Sequence, residues 1–410
     1  MYSRELRSIV LGKGEILYIT RKVPVDENTG SLKYSSQILR ALCKIHEKVN
    51  VICEKSEEDG EVSGVTNGAF PGNALFYTYT VNPGIRNVFS KIPYSTAKFR
   101  TSKSIEILKK RLLGGPKIIF IESFTSTWAV KTINDALKSG DLKSKVVYIT
   151  ENEELSTRMS IVKNLKFKPI VFGHLLDLVK IYLSDRKTIN IANAITSISS
   201  VDFRLHKDLY GIESGYVLPP IYRDYVKVDD VDISNTSREI CLIGSFIWTA
   251  KKNNLLSFLK IGFKKLSNKN ISIKVVGNID EKFLERLRKM WPTVIFTGRV
   301  DQIEPHIETC RIGIIPEEAG GGFKLKSLQY IFNRKPIFAL RNAIVDLPLE
   351  NGKSIYLYDT IESMVDGIIE GIDNTYHLNS VKNEAFVKSQ SFLDINSTVN
   401  ILKNIESEIF

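Results

Sequence analysis

The chain has 410 residues, too many for one ordinary core and suited to two domains of ~200 residues each. With 43% hydrophobic and 25% charged residues it has the composition of an ordinary globular protein, and no apolar run reaches the ~20 residues of a bilayer-spanning helix. The net charge of +11 asks for an anionic partner: nucleic acid, anionic lipid or an acidic substrate.

Met1–Glu15 carries Arg4, Glu5, Arg7, Lys13 and Glu15 in place of an apolar signal core, so no signal peptide is expected. Gly12-Lys13-Gly14 precedes the first strand rather than following it and is not a phosphate loop. Strand-like apolar runs follow at Ile16–Thr20, Val49–Cys53, Leu75–Thr80, Lys117–Glu122, Lys145–Thr150 and Ala194–Ile198. Between them lie helical patterns, among them Tyr34–His46, Ser102–Leu113, Ser126–Lys138 and Ile170–Leu183. Short continuous apolar strands alternating with helices predict a parallel sheet covered on both faces.

The polar, acidic stretch Ile221–Ser237 breaks the alternation and reads as a linker. The alternation then restarts, with strands at Ile240–Gly244, Ile271–Val276, Val294–Thr297, Ile312–Pro316, Pro336–Leu340 and Ser354–Tyr358. Helices are expected at Asn254–Leu266, Asp280–Met290, Lys324–Phe332 and Ile361–Ile372, with a last one at Asp394–Ile409. The expected fold class is α/β, with two Rossmann-like doubly wound domains facing a cleft. Their bounds are drawn at 1–222 and 238–392, with a linker at 223–237 and a closing helix at 393–410. Ligands of such domains gather at the carboxyl ends of the strands.

The most informative stretch is Gly320-Gly321-Gly322-Phe323-Lys324-Leu325-Lys326, a glycine loop between the strand RIGIIP (Arg311–Pro316) and a helix. Glycines let the backbone approach a ligand, the helix start aims N–H groups at it, and two lysines add mobile charge: a phosphate or pyrophosphate site. A surface loop of no function is the plain alternative. The segment GGGFKLKSLQYIFNRKPIFAL (320–340) resembles the donor-site segment of the family-four, or group 1, glycosyltransferases. Other segments agree in order: Ile16–Thr20 with Val23-Pro24-Val25 and Asn28-Thr29-Gly30, then Ile243–Phe246 with Trp248 and Lys251-Lys252-Asn253, then Phe296–Val300.

That resemblance implies the GT-B architecture, with the closing helix returning to the first domain. It also implies a hexosyltransferase-type enzyme that takes a UDP- or GDP-linked sugar as co-substrate, with retention of configuration and without metal or other cofactor. The second domain would hold the donor through Gly244, Ser245, Lys251, Lys252, Arg299, Gly321, Gly322, Phe323, Lys324, Lys326 and Gln329. The demand is physical, because a departing nucleoside diphosphate gains negative charge that cations and helix N-termini stabilise. The family's paired glutamates fall here on Gly321 and Gln329; glutamine can still hydrogen-bond a ribose hydroxyl but is no carboxylate. Glu317 and Glu318, just before the loop, are candidates to bind sugar hydroxyls, with solvated loop acids as the alternative.

In the first domain the Thr29-Gly30-Ser31 loop would bring Gly30 to the donor phosphate and reacting sugar, with Lys33 and Tyr34 near the acceptor. Glu122 and Glu151 lie just beyond strands and are the candidate bases if the reaction inverts. The alternative for each of these two acids is a cap on the following helix. The five histidines form no metal-ligand pair, and the D-x-D of Asp230-Val231-Asp232 sits in the linker with no strand before it, so no metal is expected. The four cysteines (Cys43, Cys53, Cys241, Cys310) read as core thiols.

The excess charge is clustered. Gly84–Arg111 carries eight basic residues against one acid, and Arg158–Lys187 seven against two, interleaved with Phe89, Tyr94, Phe99, Leu165, Phe167 and Phe172. That pattern fits an anionic membrane surface, and no recognisable nucleic-acid module accompanies it. The expectation is a cytoplasmic protein, peripheral at the inner face of the cell membrane, with a lipid-linked glycan acceptor of capsule, exopolysaccharide or O-antigen assembly. Two rivals are a nucleotide-sugar 2-epimerase, for which no histidine–carboxylate set is found, and a non-catalytic partner subunit, which Gln329 favours.

Overall fold

Runs of β-branched and aromatic residues, buried on both faces in central strands such as Ile118–Glu122 and Cys310–Ile315 and half-buried at the sheet edges, set the strands of both halves. The computed structural model describes residues 15–24, 29–55, 70–82, 84, 87, 90–163, 170–223, 226–318 and 322–410. The chain divides into two units, one of residues 1–220 with 395–410 and one of residues 221–394.

In the first unit the strands are β1 (Glu15–Lys22), β2 (Lys48–Glu54), β3 (Ala74–Tyr79), β4 (Ile118–Glu122), β5 (Lys145–Thr150), β6 (Ala194–Ser197) and β7 (Tyr216–Val217). They form one parallel sheet in the order β3-β2-β1-β4-β5-β6-β7, with Leu17 beside Ile119 and Tyr18 beside Val51. Every residue from Ile16 to Thr20 is buried, as a central parallel strand requires. The helix Gly30–Ile45 is capped by Thr29, whose side chain accepts from the Leu32 N–H. The closing helix Ile395–Ile409 lies on it. Gln37 donates to Thr398 at 2.7 Å, and His46 meets Glu406 at 2.7 Å, both buried.

The second unit repeats the plan with β8 (Ser237–Ile243), β9 (Ser272–Val276), β10 (Ile295–Gly298), β11 (Cys310–Ile315), β12 (Ile337–Leu340) and β13 (Tyr356–Tyr358). These strands are parallel, in the order β10-β9-β8-β11-β12-β13. Two glycines let its backbone close up. At Gly277 (φ 130°) a Cβ would lie 1.8 Å from the Gly244 carbonyl oxygen, so only glycine joins β9 to the end of β8. At Gly313 a Cβ would lie 2.4 Å from the ring of Tyr330. Tyr330 fills that space, donating to the Cys241 carbonyl at 2.7 Å and accepting from the Ile243 N–H at 3.0 Å. It thereby seats the helix Leu325–Phe332 over β8 and β11.

The acidic stretch 221–237 belongs to this unit. Tyr222 stacks on Phe332 at 4.8 Å, Asp230 pairs with the buried Lys382 and accepts from Asn383 at 2.8 Å, and Asp232 accepts from Asn379 at 2.7 Å. Both aspartates of the D-x-D are thus committed to structural contacts.

In each sheet the chain moves outward on one side and then returns beside its first strand. The reversals fall between β1 and β4, and between β8 and β11. Crossover helices part at such points and leave a crevice at the carboxyl ends of the strands.

Candidate active site

At the second unit's switch point, β8 is followed by Gly244 and Ser245, and β11 by Pro316 and Glu317. Gly322, with φ 76°, turns the chain into the helix Leu325–Phe332, whose start has no side-chain cap and no acid in its first turn. Lys326, in that turn, reaches back over the end of β8. Its Nζ lies 3.7 Å from where a Cβ on Gly244 would be. It forms an ion pair with Glu317 Oε1, and both side chains are largely buried.

Burial opposes charge on Glu317, yet Lys326, Lys324 and Lys251 outweigh it and hold the carboxyl below its usual range. Burial and the Lys326 charge in turn lower the pKa of Lys251. Three lysines and one carboxylate therefore share a single electrostatic cluster above β8 and β11. Gln329 lies one turn beyond Lys326, half-buried, with no hydrogen bond to its side chain among the described residues.

Other expected donor residues lie elsewhere. Lys252 pairs with Asp280, the cap of the helix Glu281–Met290, and its Nζ lies 5.2 Å from the centre of the Phe283 ring. Its charge is spent on that helix end rather than joined to the Lys326 cluster. Phe323 packs on Phe392 at 5.6 Å and anchors the loop. Arg299 is exposed after the edge strand β10, two strands from β8. Gly320 and Gly321 lie outside the described residues, as do Gly12–Gly14, Asn28, Arg86, Phe89 and Leu165–Lys168.

The first unit's switch point is acidic. Glu122, the last residue of β4, is fully buried and accepts from Thr20 at 2.5 Å and Ser35 at 3.0 Å. Burial first, then the neighbouring Glu151 charge and a hydrogen bond with that carboxyl, push Glu122 well above the usual carboxyl range. The neutral, protonated form of Glu122 is thereby favoured. Glu151 is half-buried and accepts from Ser31 at 2.7 Å, in the turn that Gly30 opens. Ser123 follows Glu122 with φ 70°, in the left-handed region that non-glycine residues seldom adopt.

Lys33 lies on the same turn, half-buried, while Tyr34 is buried and donates to the Leu218 carbonyl at 2.7 Å. The Tyr34 hydroxyl is therefore used inside the core. The capping role falls to Glu153, which accepts from the N–H groups of Leu155 at 2.9 Å and Ser156 at 2.6 Å. Sequence reasoning missed Thr20, Ser35 and the Glu317–Lys326 pair. A carboxylate just past the β11 run was the one available signal for the last.

Residues 237–374, within the second unit, match the family model described as Glycosyl transferases group 1. The resemblance read from the sequence is borne out, and with it the reading of the chain as a glycosyltransferase enzyme. No curated protein sequence matches the chain. Among solved structures, sucrose-phosphate synthase from Thermosynechococcus elongatus is 13% identical, with a TM-score of 0.69 over 97% of this chain and 99% of its own. TarM is 10% identical, with a TM-score of 0.67 over 96% of this chain and 99% of its own. Anabaena HepE, solved in complex with UDP, is 13% identical, with a TM-score of 0.65 over 96% of this chain and 100% of its own. These likenesses bear out the expected α/β class and the GT-B architecture of two doubly wound units.

Proposed function

We propose that the chain transfers a hexosyl group from a UDP- or GDP-linked sugar to a hydroxyl of a lipid-linked glycan in cell-surface polysaccharide synthesis. The observation that carries this reading is the cluster of Lys251, Lys324 and Lys326 at the switch point of the group 1 domain. Cations fixed there stabilise the diphosphate as it departs, the step at which charge develops. In the retaining course that the resemblance implies, the leaving phosphate takes the acceptor's proton. UDP is the favoured nucleotide because one structure of the same fold binds it. The acceptor is assigned to the first unit, with Glu151 and Ser31 as the polar groups that receive it.

The lipid-linked acceptor draws support from the helix Ile170–Ile191, which exposes Leu175, Leu176, Val179 and Leu183 beside the basic Arg186 and Lys187. None of the described helices is long and apolar enough to cross a membrane, so attachment would be peripheral, at the inner face of the cell membrane.

The test is a thermal-shift screen against UDP, GDP, CMP and their sugars. A ligand present at ~100 times its dissociation constant stabilises the fold by ~2.7 kcal/mol. The expected result is a shift with one nucleoside diphosphate that Lys326→Ala removes. No shift with any of them would favour the second reading, a non-catalytic partner subunit, for which Gln329 in place of glutamate is the supporting observation.

A further inference from the structure

We propose that Glu317 reads the donor: one of its carboxylate oxygens holds Lys326, and the other accepts a hydrogen bond from a hydroxyl of the bound sugar nucleotide. The inference rests on the donor-site reading above and names a residue outside the family's paired-glutamate positions. Glu317 is 7% exposed, and its Oε1 is taken by Lys326. Its Oε2 is fully buried and meets no hydrogen-bond partner among the described residues.

A buried polar atom without a partner is rare in a folded protein, and leaving it so costs the full desolvation of the group. Protonation does not relieve this one, because the three lysines keep the carboxyl ionised against the effect of burial. An ionised carboxylate oxygen can only accept, so its missing partner is an O–H or N–H donor.

The surroundings narrow that donor. Three ammonium groups against one carboxylate leave two positive charges in excess, suited to a diphosphate. A ligand that seats a diphosphate on the lysines and offers O–H groups beside it is a nucleoside diphosphate sugar. Its hydroxyls sit on the ribose on one side of the diphosphate and on the transferred sugar on the other. Either fills the Oε2 position with the same chemistry. Gln329, one turn along the helix from Lys326, is an amide and leaves Glu317 as the carboxylate of this cluster.

The experiment is calorimetric titration of wild-type protein and Glu317→Gln with UDP, UDP-glucose, GDP and GDP-mannose. The amide puts a donor where the carboxylate accepted. It is expected to weaken binding at least tenfold, the effect of losing one hydrogen bond to a charged group. Equal weakening of nucleotide and sugar nucleotide identifies a ribose hydroxyl; weakening of the sugar nucleotide alone identifies the transferred sugar. Unchanged or tighter binding of all four overturns the proposal.

Ligands lacking one hydroxyl, 2′-deoxy-UDP and UDP-deoxyglucoses, repeat the test on wild-type protein should the variant fail to fold. At least one of them should bind tenfold more weakly than its parent. If all bind as tightly as their parents, the proposal fails while the donor site stands. Wild-type protein that binds none of the parent ligands overturns the donor-site reading itself, and this inference with it.

Discussion

The two switch points are built on the same strand arrangement and carry opposite electrostatics. In the first unit, Glu122 ends β4 and Glu151 follows β5, and burial with the Glu151 charge pushes the Glu122 carboxyl well above its usual range. In the second, Glu317 is buried to a similar degree but stays ionised, because Lys326, Lys324 and Lys251 surround it. Burial is common to both sites; the neighbours decide the charge state. The fold supplies a crevice in each unit, and the side chains at its rim make one acidic and the other cationic.

The comparison can be broken at several points. Gly277→Ala forces a Cβ into the Gly244 carbonyl and should destabilise the second unit by ~3 kcal/mol or more. Urea unfolding followed by tryptophan fluorescence reads this through Trp248 and Trp291, which belong to that unit. An unchanged midpoint would mean that β8 and β9 part more easily than their geometry implies.

The two buried glutamates should answer pH in opposite senses. Glu317 is depressed, so the stability it contributes is present above its unfolded-state pKa and lost as pH falls. Glu317→Gln should therefore cost ~1–3 kcal/mol at neutral pH and less in acid. Glu122 is raised, so its contribution is fully present in acid and lost as pH rises. Glu122→Gln should then compare better with wild type at pH 8 than at pH 5. Melting curves of Glu122→Gln from pH 5 to pH 8, and of Glu317→Gln from neutral pH down through ~4, the ordinary glutamate range, check the signs, and parallel trends would refute the contrast.

A smaller effect of the same kind is expected at Asp185, away from either site. Burial pushes its pKa up to about 7, against hydrogen bonds from Tyr148 and Tyr210. The folded protein thus holds a proton that the unfolded chain has already released, and stability from this site falls as pH rises from ~4 toward 7. Asp185→Asn should gain on wild type by ~5 °C in Tm between pH 5 and pH 8.

Much of this was legible in the sequence because burial on both faces leaves continuous apolar runs. KIIFI and KVVYIT read as strands, and the acids beyond them, Glu122 and Glu151, lie at the switch point for that reason. The glycine triplet drew attention to the start of the helix Leu325–Phe332, and Gly322, the one of the three within the described residues, has the positive φ that favours glycine. Elements fixed by tertiary contacts were harder to see. The helix Glu154–Lys163 has almost no apolar periodicity, and it is set by the cap that Glu153 supplies. The two-residue β7 is too short to leave a pattern. Partner choice was least visible: nothing in Lys251-Lys252 says that the second lysine goes to Asp280 while the first stays with Lys326.

That division between neighbouring lysines gives the most direct test of the donor site. Calorimetric titration of the nucleoside diphosphate found by thermal shift would be run on wild type, Lys326→Ala and Lys252→Ala at fixed ionic strength. The expected result is one site in wild type, weakened at least 30-fold by Lys326→Ala, a loss of ~2 kcal/mol. Lys252→Ala should change affinity less than about threefold, since its partner is Asp280. Equal binding by wild type and Lys326→Ala, or a larger loss in Lys252→Ala, would contradict the assignment of the donor to this switch point.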